Sequence, residues 1–285
     1  MTNYQLSTIN CQLSKLTFLL ALLLFFSCTK ATLEEQPDNG TANNANLVVR
    51  IAKNQLTATR LNFVVYDEGT RVKQINQQSS AADFGSAVFQ LEPGTYRLVV
   101  LAHSSNGNPT LTDPSKIQFK NNQGFTDTFL YDTTITVGEE SQTLNVTPNR
   151  IVALCRFVIN DAIPEGVTQM QFYYTGGSGA FNATTGLGCV NSKQQMKFDV
   201  SAGQEHTIYD LYTFLHQQEG TIKLIASALD AAGETQCAWE FAIPLAQNQI
   251  TWTTGNFFAD QPDDWTIIPT TAIDHSWASH QYLEY

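Results

Sequence analysis

From Asn46 onward the sequence repeats one pattern: short apolar runs with a period of two, punctuated by Gly, Asn, Asp and Pro. A period of two sends alternate side chains to opposite faces of an extended strand, whereas a helix needs a spacing near 3.6. Leu47-Val48-Val49-Arg50-Ile51 is the first such run. Leu61 to Tyr66 follows, closed by Asp67-Glu68-Gly69 and answered by Arg71 to Ile75, which reads as a hairpin. Helical periodicity is poor throughout, so the spacing predicts an all-β protein.

The runs continue in order. Val88 to Leu91 leads through Glu92-Pro93-Gly94 into Thr95 to Leu101, and Pro followed by Gly at a turn centre is type II chemistry. Thr134 to Val137 and Thr143 to Val146 form an alternating pair around Gly138-Glu139-Glu140. In the second half Cys155, Phe157 and Ile159 alternate with Arg156 and Val158. Strand runs are then expected at 169–174, 221–226, 239–243 and 250–253, with 205–216 readable as a strand or one short helix. An echo links the halves. Gly94, Thr95, Arg97, Leu98 and Gly107 match Gly220, Thr221, Lys223, Leu224 and Gly233 at one fixed offset. The pattern predicts two tandem, related β-sandwich domains, at 46–148 and 149–258, breaking near Pro148-Asn149-Arg150. A less regular C-terminal tail, 259–285, carries Pro262 and Pro269.

The N-terminus has a different texture. Residues 16–26 form an apolar run behind Lys15, interrupted only by Thr17. That is too short for a bilayer core, which takes roughly 20 residues, and it has the length of a signal-peptide core. Ser27-Cys28 follows directly and resembles the bacterial lipobox, in which the cysteine is acylated and becomes the new N-terminus. The expectation is a signal peptide at 1–27, lipid attachment at Cys28, and a flexible polar tether at 28–45.

The net charge of −11 argues against nucleic acid as a partner, since such binding needs a basic footprint. It also disfavours electrostatic attachment to anionic lipid, which leaves the acyl group as the anchor. Beyond Cys11 and Cys28, the cysteines are Cys155, Cys189 and Cys237. They have no CxxC spacing and allow one disulfide or free thiols.

No catalytic motif occurs, and no cofactor is implied. His103, His206, His216, His275 and His280 lack metal-ligand spacing, so no metal site is expected. Gly176-Gly177-Ser178-Gly179 follows a strand and reads as a hairpin turn rather than a phosphate cradle. Asp127, Asp132, Glu139 and Glu140 lack the rhythm of a calcium loop and read as solvated charge. The aromatics Trp252, Phe257, Phe258, Trp265, Trp277 and Tyr282 have two readings: core and edge packing, which is preferred, or a glycan-stacking platform, for which Trp265 and Trp277 are the candidates.

Several stretches taken in order resemble the FimB-like fimbrial subunit and anchor lipoproteins of Bacteroidales. They are Ser27-Cys28, Leu61 to Gly69, Leu91 to His103, Arg150-Ile151-Val152-Ala153, Ile163-Pro164 before Val167 to Met170, and Ile243 to Thr251 with Gly255. The resemblance implies transthyretin-like sandwich domains and a place in surface filaments used for adhesion. It also implies docking to other fimbrial subunits by β-strand exchange, with the lipid at the outer membrane and host or bacterial surface ligands as further partners. Shaft subunits of such systems lose a leading strand to an arginine-directed cut, so Arg50 and Arg60 are candidate processing sites. A cleaved shaft or tip pilin is therefore the alternative to an anchor or assembly component. A surface glycan-binding lipoprotein is a third reading, and nothing motivates an enzyme.

Overall fold

The computed structural model describes residues 46–51, 57–120 and 125–258, and the backbone of 266–270. The signal peptide, Cys28, the tether, Trp265 and Trp277 lie outside the described residues. Every described element is a strand, as the period of two predicts.

The first group is β1 (Leu47–Ile51), β2 (Arg60–Asp67), β3 (Thr70–Gln78), β4 (Ser86–Phe89), β5 (Gly94–His103), β6 (Ile117–Gln118), β7 (Phe129–Val137), β8 (Gln142–Val146) and β9 (Asn149–Arg150). A five-stranded sheet, β3-β2-β5-β7-β9, faces a three-stranded one, β4-β1-β8. Leu47, Val49 and Ile51 of β1 share a core with Leu61, Phe63 and Val65 of β2 and with Leu98 and Val100 of β5. This is a β-sandwich, each sheet covering the apolar face of the other.

The second group is β10 (Ala153–Ile159), β11 (Gln169–Thr175), β12 (Ala180–Asn182), β13 (Leu187–Gly188), β14 (Gln194–Asp199), β15 (Thr207–Thr213), β16 (Glu219–Leu229), β17 (Thr235–Ala246), β18 (Ile250–Gly255) and β19 (Thr266–Thr270). Sheet β14-β11-β16-β17 faces sheet β15-β10-β18-β19. Cys155, Phe157 and Ile159 pack with Met170, Phe172, Ile222 and Leu224 between them. The ambiguous 205–216 segment contains β15, a strand, because its partner β10 offers a ladder along its whole length.

The two groups repeat one topology. Order β3-β2-β5-β7 corresponds to β14-β11-β16-β17, and β4-β1-β8 to β15-β10-β18. The correspondence extends to direction: β1 runs antiparallel to β4 and parallel to β8, and β10 runs antiparallel to β15 and parallel to β18. The sequence echo falls on the corresponding strands β5 and β16.

The halves differ in where chain is inserted. In the first, β2 and β3 join through Glu68 and Gly69, both at positive φ (46° and 85°), which is a type I′ turn matched to strand twist. The corresponding β11-to-β14 connection is a long excursion carrying β12 and β13. Conversely β16 and β17 join by a short turn, whereas the β5-to-β7 connection carries β6. The two excursions meet, since β6 pairs with β12 in the small sheet β13-β12-β6.

Around that sheet lies a third apolar cluster drawn from both halves. Val64, Tyr66, Val99, Leu101 and Phe119 pack with Ile151, Val152, Phe181 and Phe214. The Phe119 and Phe214 rings stack with centroids 5.9 Å apart. This explains why Leu61 to Tyr66 and Leu98 to Ala102 are apolar runs rather than strict alternations. β2 and β5 are buried on both faces, and a strand covered on both sides has no solvent face to mark with polar residues.

Three local expectations are corrected. Gly94 is not at positive φ, so Glu92-Pro93-Gly94 is not a type II hairpin. It carries the chain from β4 in one sheet to β5 in the other. Likewise β7 and β8, on either side of Gly138, lie in opposite sheets and do not pair. Both crossings are tied to the start of β1. Asn46 Nδ2 donates to the carbonyls of Leu91 (2.6 Å) and Gly138 (3.0 Å), and its Oδ1 accepts from Leu91 N–H. Third, Gly176 to Gly179 is not a hairpin turn but the packed entry to the β12–β13 excursion. A Cβ at Gly177 would collide with Thr213 Oγ1, and one at Gly176 would sit 2.6 Å from the Thr221 carbonyl.

Candidate functional site

Among the described residues no His, Cys, Asp and Glu side chains gather in a group of three or more that could hold a metal ion. Of the four acidic groups read as solvated charge, Asp127 and Asp132 are paired with arginines, and Glu139 and Glu140 are exposed. Asp127 accepts two hydrogen bonds from Arg150, at 2.5 and 2.6 Å, and Asp132 accepts one from Arg97 at 2.6 Å. Cys155, Cys189 and Cys237 are free thiols. Burial pushes the Cys155 thiol up to about 12, which removes it from nucleophilic chemistry.

The aromatic expectation divides. Phe257 lies in the core of the second sandwich, with Phe258 packed against it, as the packing reading has it. Trp252 differs. It is half-buried on the outer face of β18, with the Arg156 guanidinium 5.1 Å from its ring centroid. Arg156 in turn donates twice to Asp210 (2.7 and 2.8 Å) on the neighbouring strand β15.

The distinctive geometry is in the backbone. Strand β1 is the middle strand of its sheet, and among the described strands neither β4 nor β8 has another partner. Leu47, Val49 and Ile51 face inward and are buried, while Arg50 is exposed. Arg50 itself stands opposite Ser86 of β4 and Asn145 of β8. Arg60 opens β2 opposite Gln78 and His103, and its Nη2 donates to the Asn106 carbonyl at 3.4 Å.

The sheet edges also differ in kind. Exposed edge strands template pairing with other chains unless charge, proline, a bulge or short length blunts them. Edge strand β3 carries Arg71 and Lys73 and lies beside a bulge at Val65/Tyr66. Lys197 and Asp199 mark β14, Glu240 and Pro244 mark β17, and Asp210 marks β15. Strand β4 has only four residues and β9 two. Among the described edge strands of five residues or more, only β8 has neither charge nor proline, and its interior counterpart β18 has neither as well. On β18 the chain lays its own β19, antiparallel, from Ile250↔Thr270 to Thr254↔Thr266. Beyond β8 no described strand lies.

These features define a two-sandwich β protein whose candidate site is a strand position rather than a pocket. Residues 27–282 match the model of a family of unknown function, DUF6562, and the chain belongs to that family. No curated protein matches it. Among solved structures it is similar to a candidate adhesin from Bacteroides ovatus (15% identity, covering 70% of this chain and 82% of that one, TM-score 0.49). It is also similar to a fimbrial assembly protein from Parabacteroides distasonis (14%, 78% and 94%, 0.39). A third is the C-terminally truncated tip fimbrial protein Mfa3 of Porphyromonas gingivalis (13%, 78% and 98%, 0.37).

Proposed function

We propose that this chain is a fimbrial subunit, an anchor or assembly component held at the outer membrane by lipid on Cys28. In this reading the signal peptide spans 1–27, the tether 28–45, and the transthyretin-like sandwich domains 46–148 and 149–258. The domains dock other subunits by β-strand exchange and support adhesion at the cell surface, a structural rather than catalytic role. The observation that carries it is the position of β1. One short strand, the first of the body, completes a sheet whose two other strands depend on it alone among the described residues. With β1 in place the sheet ends at β8, whose outer backbone has no partner among the described strands and gives an incoming strand the ladder it needs. The ordered sequence resemblance supports the same reading.

The cleaved-pilin alternative rests on Arg50 and Arg60. Proteolysis needs an extended segment free of its neighbours, and Arg50 lies in a strand laddered on both sides. The anchor version keeps β1 in place. Mass spectrometry of the N-terminus in a membrane fraction tests it. The expected species begins at an acylated Cys28 and retains residues 29–60. Recovery only of chains trimmed after Arg50 or Arg60 would overturn the anchor version in favour of a shaft or tip pilin.

A further inference from the structure

We propose that the outer edge of β8, which has no partner among the described strands, is a strand-acceptor site. It takes, in antiparallel pairing beside Gln142–Val146, an uncharged extended strand of β19's kind from a neighbouring subunit. This deepens the fimbrial reading and rests on it. The event is addition beside β8, with β1 left in place.

The internal repeat supplies the first argument. Strand β18 occupies in the second sandwich the place that β8 occupies in the first, each parallel to the strand that opens its half. The parity agrees as well. Gln142, Leu144 and Val146 are the more buried positions of β8, with Thr143 and Asn145 exposed. On β18, Thr251 and Thr253 are buried and Trp252 and Thr254 half-buried. The same backbone surface is therefore presented twice, and in one of the two places a strand of this chain occupies it.

Edge protection supplies the second argument. The other described edge strands of four or more residues carry charge (β3, β14, β15, β17), are kept to four residues (β4) or hold a proline (β19), and β7, open beyond its two-residue partner β9, carries Asp132. An edge of five residues without charge, proline or bulge is what selection against edge pairing removes. Its persistence at the one repeat position where the counterpart edge is occupied points to use. The occupant follows from the same comparison. β19, Thr-Ile-Ile-Pro-Thr, is uncharged and mostly β-branched, and its proline limits growth beyond it.

The test uses the full chain and a synthetic peptide of residues 264–272, Asp-Trp-Thr-Ile-Ile-Pro-Thr-Thr-Ala. Hydrogen–deuterium exchange is followed with and without the peptide. At saturation, amide exchange in 142–146 is expected to slow at least tenfold. The variant Thr143→Lys/Asn145→Lys, which alters two exposed side chains, should abolish the slowing and leave the thermal midpoint unchanged. Slowing confined to 250–255 would overturn the proposal and place exchange at the second sandwich. Absence of slowing anywhere, or slowing at 142–146 that persists in the double lysine variant, would also overturn it. None of these outcomes bears on acylation of Cys28 or on trimming at Arg50 and Arg60, so the anchor reading stands or falls separately.

Discussion

Two residues carry more than their share of this fold. Arg150 is almost fully buried, 3% exposed at its side chain, and Asp127 neutralises it while the Phe129 ring lies 4.6 Å from its guanidinium. Removing one member of such a pair strands a buried charge, at a cost of about 3–5 kcal/mol. Asp127→Ala should therefore lower the denaturation free energy by about 3 kcal/mol in urea unfolding, and Glu240→Ala, on the exposed face of β17, should leave it unchanged. His103 is the second. Its Nδ1 accepts from Ser105 N–H, so Nε2 carries the proton and donates to Asn62 Oδ1 at 3.0 Å. Asn62 passes the network on to Asn76 and Asn108. Burial, reinforced by the Arg60 charge, lowers this imidazole to about 4. The unfolded chain binds the proton near pH 6.5, ahead of the folded one. Stability is thus full above pH 6.5 and falls as pH drops towards 4, by roughly 3 kcal/mol from this group. Urea midpoints at pH 7 and pH 4.5 should show the loss, and His103→Gln should diminish it. A variant that keeps the full pH dependence would assign it to carboxylates instead.

At the scale of elements, a strand with one less buried face is legible in the sequence, and a change of sheet is less so. Gln169 to Tyr174 marks β11, where Met170, Phe172 and Tyr174 enter the core and the residues between them are only half-buried. The runs around Glu92-Pro93-Gly94 and Gly138 carry strand signals on both sides, which look like hairpins. Whether two adjacent strands pair or part company depends on which other strand each one finds, and no local residue encodes that. The excursion after Gly176 left no periodic signal, since its shape is set by contact with Thr213 and Thr221. That contact is testable. Gly177→Ala should destabilise the protein by about 2 kcal/mol, because its Cβ meets Thr213 Oγ1. Combining it with Thr213→Ala should recover most of the loss in a double-mutant cycle. Simple additivity would show that the two sites do not collide.

At the scale of the whole molecule, the shared cluster makes two repeated sandwiches into one body, and the described residues of both halves fall in a single compact unit. Ile151, Val152, Phe181 and Phe214 complete a core begun by β2 and β5, so neither half buries all its apolar surface alone. One calorimetric transition is expected for both halves. Phe214→Ala, which removes a fully buried ring from the junction, should cost about 3–5 kcal/mol and separate the transition into two. Two well-resolved transitions already present in the unsubstituted chain would refute this coupling.

The sequence by itself determined the strand character of the chain, the apolar faces, the kinship of its halves and the net negative charge. These follow from the period of two and from composition, which are local properties. Only the tertiary structure decided that the halves share a core, that the two excursions pair as β6 and β12, and that β8 and β18 present the same edge with one of them covered. Each is a contact between segments far apart in the chain, fixed by which faces and edges remain unsatisfied once the strands have formed. The site is legible for the same reason only in three dimensions. A free ladder of backbone N–H and C=O groups has no side-chain signature, and β8 becomes distinctive only beside its counterpart.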